Sequence, residues 1–262
     1  MVERDSSTQE FAGRFVRYSV LEGDKRIQER ILDLEAGADK ESIRTLRRMF
    51  GMYNFIHQNN LIPAELWFGS FSKKEEAEIE KSMLSISKSV RIPKNMPVRA
   101  LPDIFHFHSG LRFVPQDIKE RCIKGRDILD CGAYVGDTAI MFSNLFQARK
   151  IFSFEPVSSN YARLLANIRL CDLRNVVPVK KGVGETVSKK MITCMESGSH
   201  IDGSKEGGEE IDVIDIDGFV RENGAMPGVI KMDIEGYELK AVRGALKTIK
   251  RFRPILLIAV YH

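Results

Sequence analysis

The second half of the chain alternates short apolar runs with segments whose apolar residues recur every three or four positions. A short apolar run is typical of a buried parallel strand, and the longer spacing is typical of a helix with one face on a sheet. From residue 126 onward the pattern therefore predicts strand and helix in turn. This order indicates a Rossmann-like α/β fold, a doubly wound, mostly parallel sheet with helices on both faces.

The predicted core strands are separated by turns and acidic residues. The first surrounds Ile128 and Leu129, and the others span residues 150–154, 176–180, 229–232 and 255–260. A helix is predicted over 138–146, directly after the first strand. Two further candidate strands, 189–194 and 210–216, flank a loop rich in Gly, Ser and Glu.

Residues 1–100 favour helices. Ser72 with Glu75 forms a capping box, and the four apolar residues that follow at helical spacing are Ile79, Met83, Ile86 and Val90. We expect residues 1–100 to form a helical extension that packs against a Rossmann-like domain at 101–262. A lid or a dimerisation element is the alternative for the extension, so a homodimer is left open.

The last apolar run, ILLIAV at 255–260, has the composition of a strand inside a sheet, because an uncovered apolar edge invites aggregation. We therefore expect that the sheet is truncated after its fifth strand and that the last strands are missing from this chain.

Composition and charge narrow the class of protein. The 262 residues carry a formal net charge of +4 without a basic stripe, which disfavours a nucleic-acid partner. The polar start MVERDSSTQE is not a signal peptide, and no apolar run is long enough to span a membrane. The four cysteines and five histidines lack zinc spacing, so we expect reduced thiols, no metal and a cytoplasmic protein.

The segment RDILDCGAYVGD at 126–137 joins the first strand to the first helix through a glycine-rich turn. Gly132 and Gly136 bracket this turn, where a residue without Cβ lets the backbone approach a ligand closely. The spacing is Gly-x-x-x-Gly, not the dinucleotide pattern G-x-G-x-x-G. Asp130 before the turn and Asp137 after it disfavour a pyrophosphate and suit a cationic amino-acid tail, such as that of S-adenosylmethionine.

Acidic residues follow several of the predicted strands. Asp130 ends the first, Glu155 follows the second, and Asp233 and Glu235 follow the fourth. Ligands of a doubly wound sheet bind outside the carboxyl ends of its strands, so these acids are expected at one rim. Glu155 lies about twenty residues past the glycine turn, where an acid takes the ribose hydroxyls of an adenosine.

Four blocks of this sequence resemble the FkbM-type methyltransferases. They are DCGAYVGDTA at 130–139, FEPVSSNYARLLANI at 154–168, VIKMDIEGYELKAVRGA at 229–245 and PILLIAVYH at 254–262. The third block is the most distinctive. The resemblance implies a class I methyltransferase fold of seven strands and S-adenosylmethionine-dependent transfer of a methyl group to a hydroxyl, often on a sugar, a glycan or a secondary metabolite.

Site roles are assigned on this basis. The residues expected to bind S-adenosyl-L-methionine are Asp130, Gly132, Ala133, Tyr134, Gly136, Asp137, Glu155, Pro156, Gly182, Val183 and Asp233. The residues expected to act in catalysis are His108, Asp233 and His262. The two histidines are candidate general bases because an imidazole titrates nearest neutral pH. His106 and His108 alternate, so in a strand both would project to one face, and a metal there is the less favoured alternative.

Two other interpretations of the sequence stay open. An NAD-dependent oxidoreductase would favour a different glycine spacing, and a non-catalytic Rossmann-like nucleotide-binding module would keep the pocket without turnover. A nucleic-acid base methyltransferase is disfavoured because Met-Asp-Ile-Glu-Gly follows the fourth strand. We expect a small-molecule or glycan hydroxyl as acceptor, and the sequence does not identify it.

Overall fold

A computed structural model describes residues 32–33, 36–40, 42–43, 73–94, 96, 101–195, 198–200 and 208–260. Ala77–Val260 group into one compact unit, and Met1–Glu76 belong to a second, of which only short stretches are described. The capping box predicted for Ser72 and Glu75 rests on side chains outside the described residues. The division of the chain at residue 100 stays a prediction.

Helices and strands follow one another along the chain from residue 73 onward, with five consecutive described strands between the fourth and fifth α-helices. The α-helices from residue 73 onward are α1 (Lys73–Ser89), α2 (Gln116–Ile123), α3 (Asp137–Leu145), α4 (Ser158–Leu170), α5 (Ile216–Asn223), α6 (Glu238–Arg243) and α7 (Leu246–Phe252). The described strands are β1 (Asp127–Cys131), β2 (Ile151–Phe154), β3 (Val176–Val179), β4 (Gly182–Val183), β5 (Ser188–Met195), β6 (Gly198–His200), β7 (Glu209–Ile214), β8 (Pro227–Met232) and β9 (Ile255–Ile258).

Five parallel strands form the main sheet, in the order β3-β2-β1-β8-β9. Cys131, the last residue of β1, lies between Phe154 at the end of β2 and Met232 at the end of β8. The carboxyl ends of the three central strands therefore lie side by side. The predicted fold class is confirmed: a Rossmann-like α/β fold with a parallel sheet, preceded by a helical segment.

Two apolar clusters fill the space on either side of this sheet. Neighbouring residues of β1 point to opposite faces, so Ile128 lies in one cluster and Leu129 in the other. The first cluster includes Ile140 of α3, and the second includes Val220 of α5 and Ala241 of α6. Helices thus cover both faces, as the apolar runs of the strands require.

Four further strands form a second sheet in the order β4-β7-β5-β6. β4 runs parallel to β7, while β5 runs antiparallel to both β7 and β6. The strands predicted at 189–194 and 210–216 are confirmed as β5 and β7, within two residues at each end. Along the chain, the four strands of this second sheet lie between β3 and β8 of the main sheet.

The segment that precedes the sheet packs against the first apolar cluster. Val90 and Met96 are buried in that cluster, and Met83 and Ile86 of α1 pack against it partly buried. The apolar face predicted from Ile79 to Val90 is therefore the face that contacts the main domain.

The last described strand is less buried than its sequence predicts. Leu256 is 39% exposed, and the other residues of β9 are half-buried. Within the described part of the chain, β9 pairs with β8 alone. The expectation of further strands stays a prediction.

The histidine segment is helical, so the shared strand face considered for His106 and His108 does not exist. Pro102–His106 form one π-helical turn and His108–Phe113 a 3-10 helix. Pro102 stands at the start of the first turn, where its missing N–H costs nothing. His108 and Ser109 then have positive φ angles of 52° and 50°, which separate the two helical pieces. The two histidines therefore do not share a strand face.

Among the helices of the described ranges, none combines the length and the apolar content that a membrane crossing requires.

Candidate functional site

The turn between β1 and α3 is built against the ends of two neighbouring strands. The backbone N–H groups of Gly132 and Ala133 both donate to the carbonyl oxygen of Phe154, at 3.1 and 2.9 Å. Gly132 has a φ of +82°, and a Cβ there would lie 1.9 Å from the carbonyl oxygen of Asp233. Only glycine fits this position, because both the backbone conformation and the free space exclude a side chain.

Helix α4 supports the second half of the turn. Gly136 has a φ of +89°, and a Cβ there would lie 2.7 Å from Cδ1 of Leu164. The side-chain amide of Asn167 donates to the carbonyl oxygen of Val135 at 2.8 Å. Between these supports, Tyr134 has a φ of +46° and a side chain that is 41% exposed. The turn thus presents one aromatic ring to solvent over a fixed backbone.

A buried ion pair lies beneath the turn. Lys231 Nζ lies 3.5 Å from Asp130 Oδ1 and donates a hydrogen bond of 2.7 Å to the carbonyl oxygen of Gly132. Thr138 Oγ1 donates to Asp130 Oδ2 at 2.7 Å. The Asp130 side chain has no exposed surface, so it supports the turn from below instead of lining an open surface.

Other carboxylates act on the same lysine. Burial alone would lower the pKa of Lys231, but the negative charges of Asp130, Asp233 and Asp137 outweigh burial and raise it. Burial raises the pKa of Asp137 to about 6, against the opposing charge of Lys231 and a hydrogen bond from the Thr138 backbone. The cluster therefore holds more negative than positive charge near neutral pH.

Glu155 closes the site on the side of β2. Its two oxygens accept the backbone N–H groups of Tyr134 and Val157, each at 3.0 Å. The residue is only 5% exposed, and burial raises its pKa to about 7 despite these hydrogen bonds. Pro156, which follows, is half-buried. Glu155 thus ties the turn to the start of α4, and it titrates close to neutral pH.

Two of the residues expected to bind the cofactor, Gly182 and Val183, lie on the second sheet. Both are buried, and the side chain of Val183 packs in the second apolar cluster. The Val183 side chain therefore contributes to the core, and the cofactor contact expected at these two residues stays a prediction. Gly184 follows and packs tightly, since a Cβ on Gly244 would lie 2.2 Å from its carbonyl oxygen.

His108 lies on the side of the main sheet where the strands begin, opposite to the carboxyl ends that carry the acidic residues. Its ring meets the ring of Phe146 edge-on, at 5.6 Å between centroids. Phe146 follows α3, whose nine residues carry the chain about 13 Å away from Asp137. The backbone N–H of Gly125 donates to the carbonyl oxygen of Gln147 at 3.1 Å, just before β1 begins. His108 is therefore near the amino ends of the strands.

The surroundings of His108 keep its imidazole neutral. Burial, followed by the charges of Lys119 and Arg112, lowers its pKa to about 4. Its buried Nδ1 has no hydrogen-bond partner among the described residues. The side chain lines a cavity of about 520 Å³ beside α2. The structure does not bring this residue to the acidic edge, so its assignment as general base is corrected.

Of the other two residues expected to act in catalysis, one lies outside the described residues and one lies at the acidic edge. His262 lies outside the described residues. Asp233 follows β8 at the acidic edge, where it is half-buried and its backbone N–H donates to the carbonyl oxygen of Cys131 at 3.0 Å. Within the described ranges, no group of three or more His, Cys, Asp or Glu residues is arranged to hold a metal ion.

Known protein families include one that matches this chain. A sequence profile described as "Methyltransferase FkbM domain" matches residues 130–262, which is more than half of the chain. The chain belongs to the FkbM methyltransferase family. No curated protein matches it.

Solved structures resemble this FkbM family member weakly. The crystal structure of methyltransferase FkbM from Methylobacillus flagellatus KT is 18% identical, with a TM-score of 0.43 over 86% of this chain and 61% of that one. Precorrin-6y C5,15-methyltransferase from Geobacter metallireducens GS-15 is 14% identical, with a TM-score of 0.33 over 61% of this chain and 62% of that one. The chain thus spans less than two thirds of either structure's length.

The predicted site of this FkbM family member is largely assembled in one place. The predicted residues that the structure brings to the carboxyl edge of β1, β2 and β8 are Asp130, Gly132, Ala133, Tyr134, Gly136, Asp137, Glu155, Pro156 and Asp233. Tyr134 is exposed and Gly132 and Asp233 are half-buried, whereas Asp130 and Ala133 are fully buried. Tyr134, Gly132 and Asp233 are therefore the part of the site that a ligand reaches most directly.

The sequence patterns did not reveal two side chains near this edge, Thr138 and Tyr237. For Lys231 the sequence favours pairing with a carboxylate, which the structure shows with Asp130. The ring of Tyr237 lies 3.8 Å from where a Cβ on Gly184 would stand, and Lys240 Nζ lies 4.0 Å from the ring centroid. A lysine within an otherwise apolar strand was the available signal for Lys231, since such a charge requires a buried partner.

Proposed function

We propose that this FkbM family member is an S-adenosylmethionine-dependent O-methyltransferase that acts on a hydroxyl of a sugar, a glycan or a secondary metabolite. The observation that carries the proposal is the excess of carboxylates at the carboxyl edge. Asp130, Asp137, Glu155 and Asp233 gather around Lys231. Such an edge suits a ligand with a sulfonium and an ammonium group, and it disfavours the pyrophosphate of NAD.

The turn also supports the proposal by its rigidity and by what it exposes. At Gly132 and Gly136 a Cβ would collide with Asp233 and Leu164, so the backbone of the turn packs closely on its neighbours. Tyr134 offers an exposed ring on this turn, and Asp233 offers a half-buried carboxylate beside it. In our proposal the turn and Tyr134 hold the adenosyl group, Glu155 takes the ribose hydroxyls and Asp233 orients the amine.

When bound, S-adenosylmethionine supplies a methyl group activated by its sulfonium. The protein then contributes mainly alignment and a site with little water, because the displacement proceeds in line. A sugar hydroxyl is a weak nucleophile, so a nearby base helps by taking its proton. Asp233 is our candidate for this role as the alternative to orienting the amine, because it lies at the same edge as the turn while His108 does not.

In our proposal Glu155 forms hydrogen bonds both to the turn and to the cofactor. Its oxygens already accept two backbone N–H groups, and a carboxylate retains further lone pairs for the hydroxyls of a ribose. Because its pKa is raised to about 7, the ionised form that accepts best becomes dominant only above neutral pH. We therefore propose that cofactor binding weakens as the solution is acidified below pH 7.

Several expectations from the sequence complete the proposal. They are a small-molecule or glycan acceptor, no nucleic-acid or membrane partner, no metal, a cytoplasmic location and an open choice between monomer and homodimer. Transfer to oxygen rests on the family resemblance.

Methyl transfer tests the proposal. The protein is incubated with methyl-labelled S-adenosylmethionine and a pool of glycans and hydroxylated secondary metabolites, and the products are located by mass spectrometry and NMR. We expect labelled methyl ethers with the native chain and strongly reduced labelling with Asp233→Asn. Labelling of nitrogen or carbon would contradict transfer to oxygen. Cofactor binding without any turnover in this pool would favour the non-catalytic module instead.

A further inference from the structure

Lys231 is a charged side chain enclosed within a parallel sheet. It lies in β8 directly opposite Asp130 of β1 in the register of the pair, and its side chain is 8% exposed. Burial of a lysine disfavours its charged form, so its ammonium must be satisfied by close partners. The ammonium reaches the Asp130 carboxylate at 3.5 Å and the Gly132 carbonyl oxygen at 2.7 Å.

The shorter of these contacts goes to the backbone of the turn. Gly132 is held from three directions. Its N–H donates to Phe154 at the end of β2, its Cα faces the carbonyl of Asp233 after β8, and its own carbonyl accepts from Lys231. Two hydrogen bonds hold the peptide plane that follows Gly132: the Ala133 N–H donates to Phe154, and the Gly132 carbonyl accepts from Lys231. Without the Lys231 contact, only the bond on the N–H side of this plane would remain. That plane leads directly to Tyr134, the exposed residue of the turn.

We propose that Lys231 is a positioning residue: its ammonium fixes the Gly132 carbonyl and so holds the 132–136 turn in the shape that receives the cofactor. The inference deepens the proposed function, and it depends on that function only for its binding measurement.

A simpler role would be to neutralise Asp130. Two observations favour positioning over neutralisation alone. Asp130 Oδ2 already accepts a hydrogen bond from Thr138, and Asp130 Oδ1 accepts none from any described residue, although Lys231 lies 3.5 Å away. The lysine therefore directs its short hydrogen bond to the turn, while Asp130 receives only its charge.

Positioning of the turn and neutralisation of Asp130 predict different behaviour when Lys231 and Asp130 are both replaced by neutral residues. Lys231→Met alone would leave the Asp130 carboxylate buried without its counter-charge, which destabilises the fold. The double variant Lys231→Met/Asp130→Asn removes both charges and so preserves the charge balance, but it does not restore the bond to Gly132. Lys189→Met, which breaks an exposed ion pair with Glu210 on the second sheet, is the matched control.

The experiment measures two properties of each variant. Hydrogen exchange of the Tyr134 and Gly136 backbone amides is followed by NMR without ligand, with the amide of Phe152 in β2 as an internal reference. Affinity for S-adenosylmethionine is measured by calorimetry. In the double variant we expect the two turn amides to exchange at least about tenfold faster at unchanged Phe152 exchange, and the affinity to fall at least about tenfold. Lys189→Met should behave as the native chain.

Each other outcome overturns part of the account. Native exchange and native affinity in the double variant would mean that Lys231 only balances charge. Equally faster exchange at Phe152 would mean that it only stabilises the sheet. If the native chain binds no S-adenosylmethionine, the proposed function fails, and the exchange of the turn amides still decides the role of Lys231.

Discussion

At Gly132 the backbones of three neighbouring strands converge on one residue. The position combines a left-handed φ of +82° with a distance of 1.9 Å between the place of a Cβ and the Asp233 carbonyl oxygen. A side chain there is excluded twice, by the backbone conformation and by the neighbouring strand. Gly125 has a similar φ of +70°, but a Cβ there would meet nothing within 4 Å. At Gly125 an added side chain would meet only the unfavourable backbone conformation, whereas at Gly132 it would also collide with Asp233.

This pair gives a matched test. We expect Gly125→Ala to lower the free energy of unfolding by about 1 kcal/mol, since only the left-handed conformation opposes the methyl group. Gly132→Ala should cost about 3 kcal/mol or more, because Asp233 must also move. Urea denaturation measures both. Equal costs for the two variants would contradict the close approach of β8 to the turn.

Glu155 makes the stability of the fold depend on pH. Burial raises its pKa from the ordinary value of 4.5 to about 7, so the folded protein keeps a proton that the unfolded chain has released. The resulting stabilisation is complete below pH 4.5 and is lost as the pH rises through about 7. The full shift corresponds to about 3 kcal/mol. Asp137, whose pKa is raised to about 6, acts in the same direction.

We therefore expect the free energy of unfolding to decrease between about pH 5 and pH 8, and Glu155→Gln to flatten that decrease by removing the titrating group. The glutamine keeps an oxygen acceptor for one of the two backbone N–H groups, so the variant remains folded. Urea titrations at a series of pH values measure the slope. A slope that is the same in both proteins would show that the carboxyl of Glu155 titrates near its usual pKa.

Among the elements, the unit of β1, turn and α3 follows most directly from the sequence. An apolar run, two glycines four residues apart and a helical spacing are all local signals, and each agrees with the structure. The histidine segment has no such clear local signal. In a strand His106 and His108 would share one face, but the segment forms two short helical pieces in which Phe105 and Leu111 are fully buried. The alternation of residues along the sequence carries no information about this packing.

The amino and carboxyl ends of the strands of the main sheet are expected to differ in function. His108 lies at the amino edge beside Phe146, and the acidic cluster lies at the carboxyl edge. We expect His108→Asn to change the rate of methyl transfer by less than about twofold, whereas a catalytic base contributes about a hundredfold or more. Asparagine is chosen because it tolerates the φ of +52° at this position. A large loss of rate with unchanged cofactor affinity would restore His108 as a base.

On the scale of the whole molecule, the sequence predicted the five parallel strands and the acidic rim, but not the register between strands. Asp130 and Lys231 stand opposite each other although 101 positions separate them in the chain. Such a pair depends on how β1 and β8 align, which no local pattern specifies. The same limit explains Val183, whose position after β3 was evident while its direction into the core was not.

The shape and charge of the molecule together favour one class of ligand. Nine strands divide into a parallel sheet that forms the site and a smaller sheet inserted after its third strand along the chain, counting described residues only. The site lies where the carboxyl ends of β1, β2 and β8 meet, and it carries more carboxylates than cations. The central claim is that this edge binds a cofactor with positive charge.

Calorimetric titration tests this claim most directly. The native chain is titrated with S-adenosylmethionine, with S-adenosylhomocysteine and with NAD, and Asp233→Asn is titrated in the same way. We predict one site per chain for the two adenosyl ligands, no binding of NAD, and an affinity for S-adenosylmethionine at least about tenfold weaker in Asp233→Asn. Binding of NAD in place of S-adenosylmethionine, or an unchanged affinity in the variant, would contradict the account.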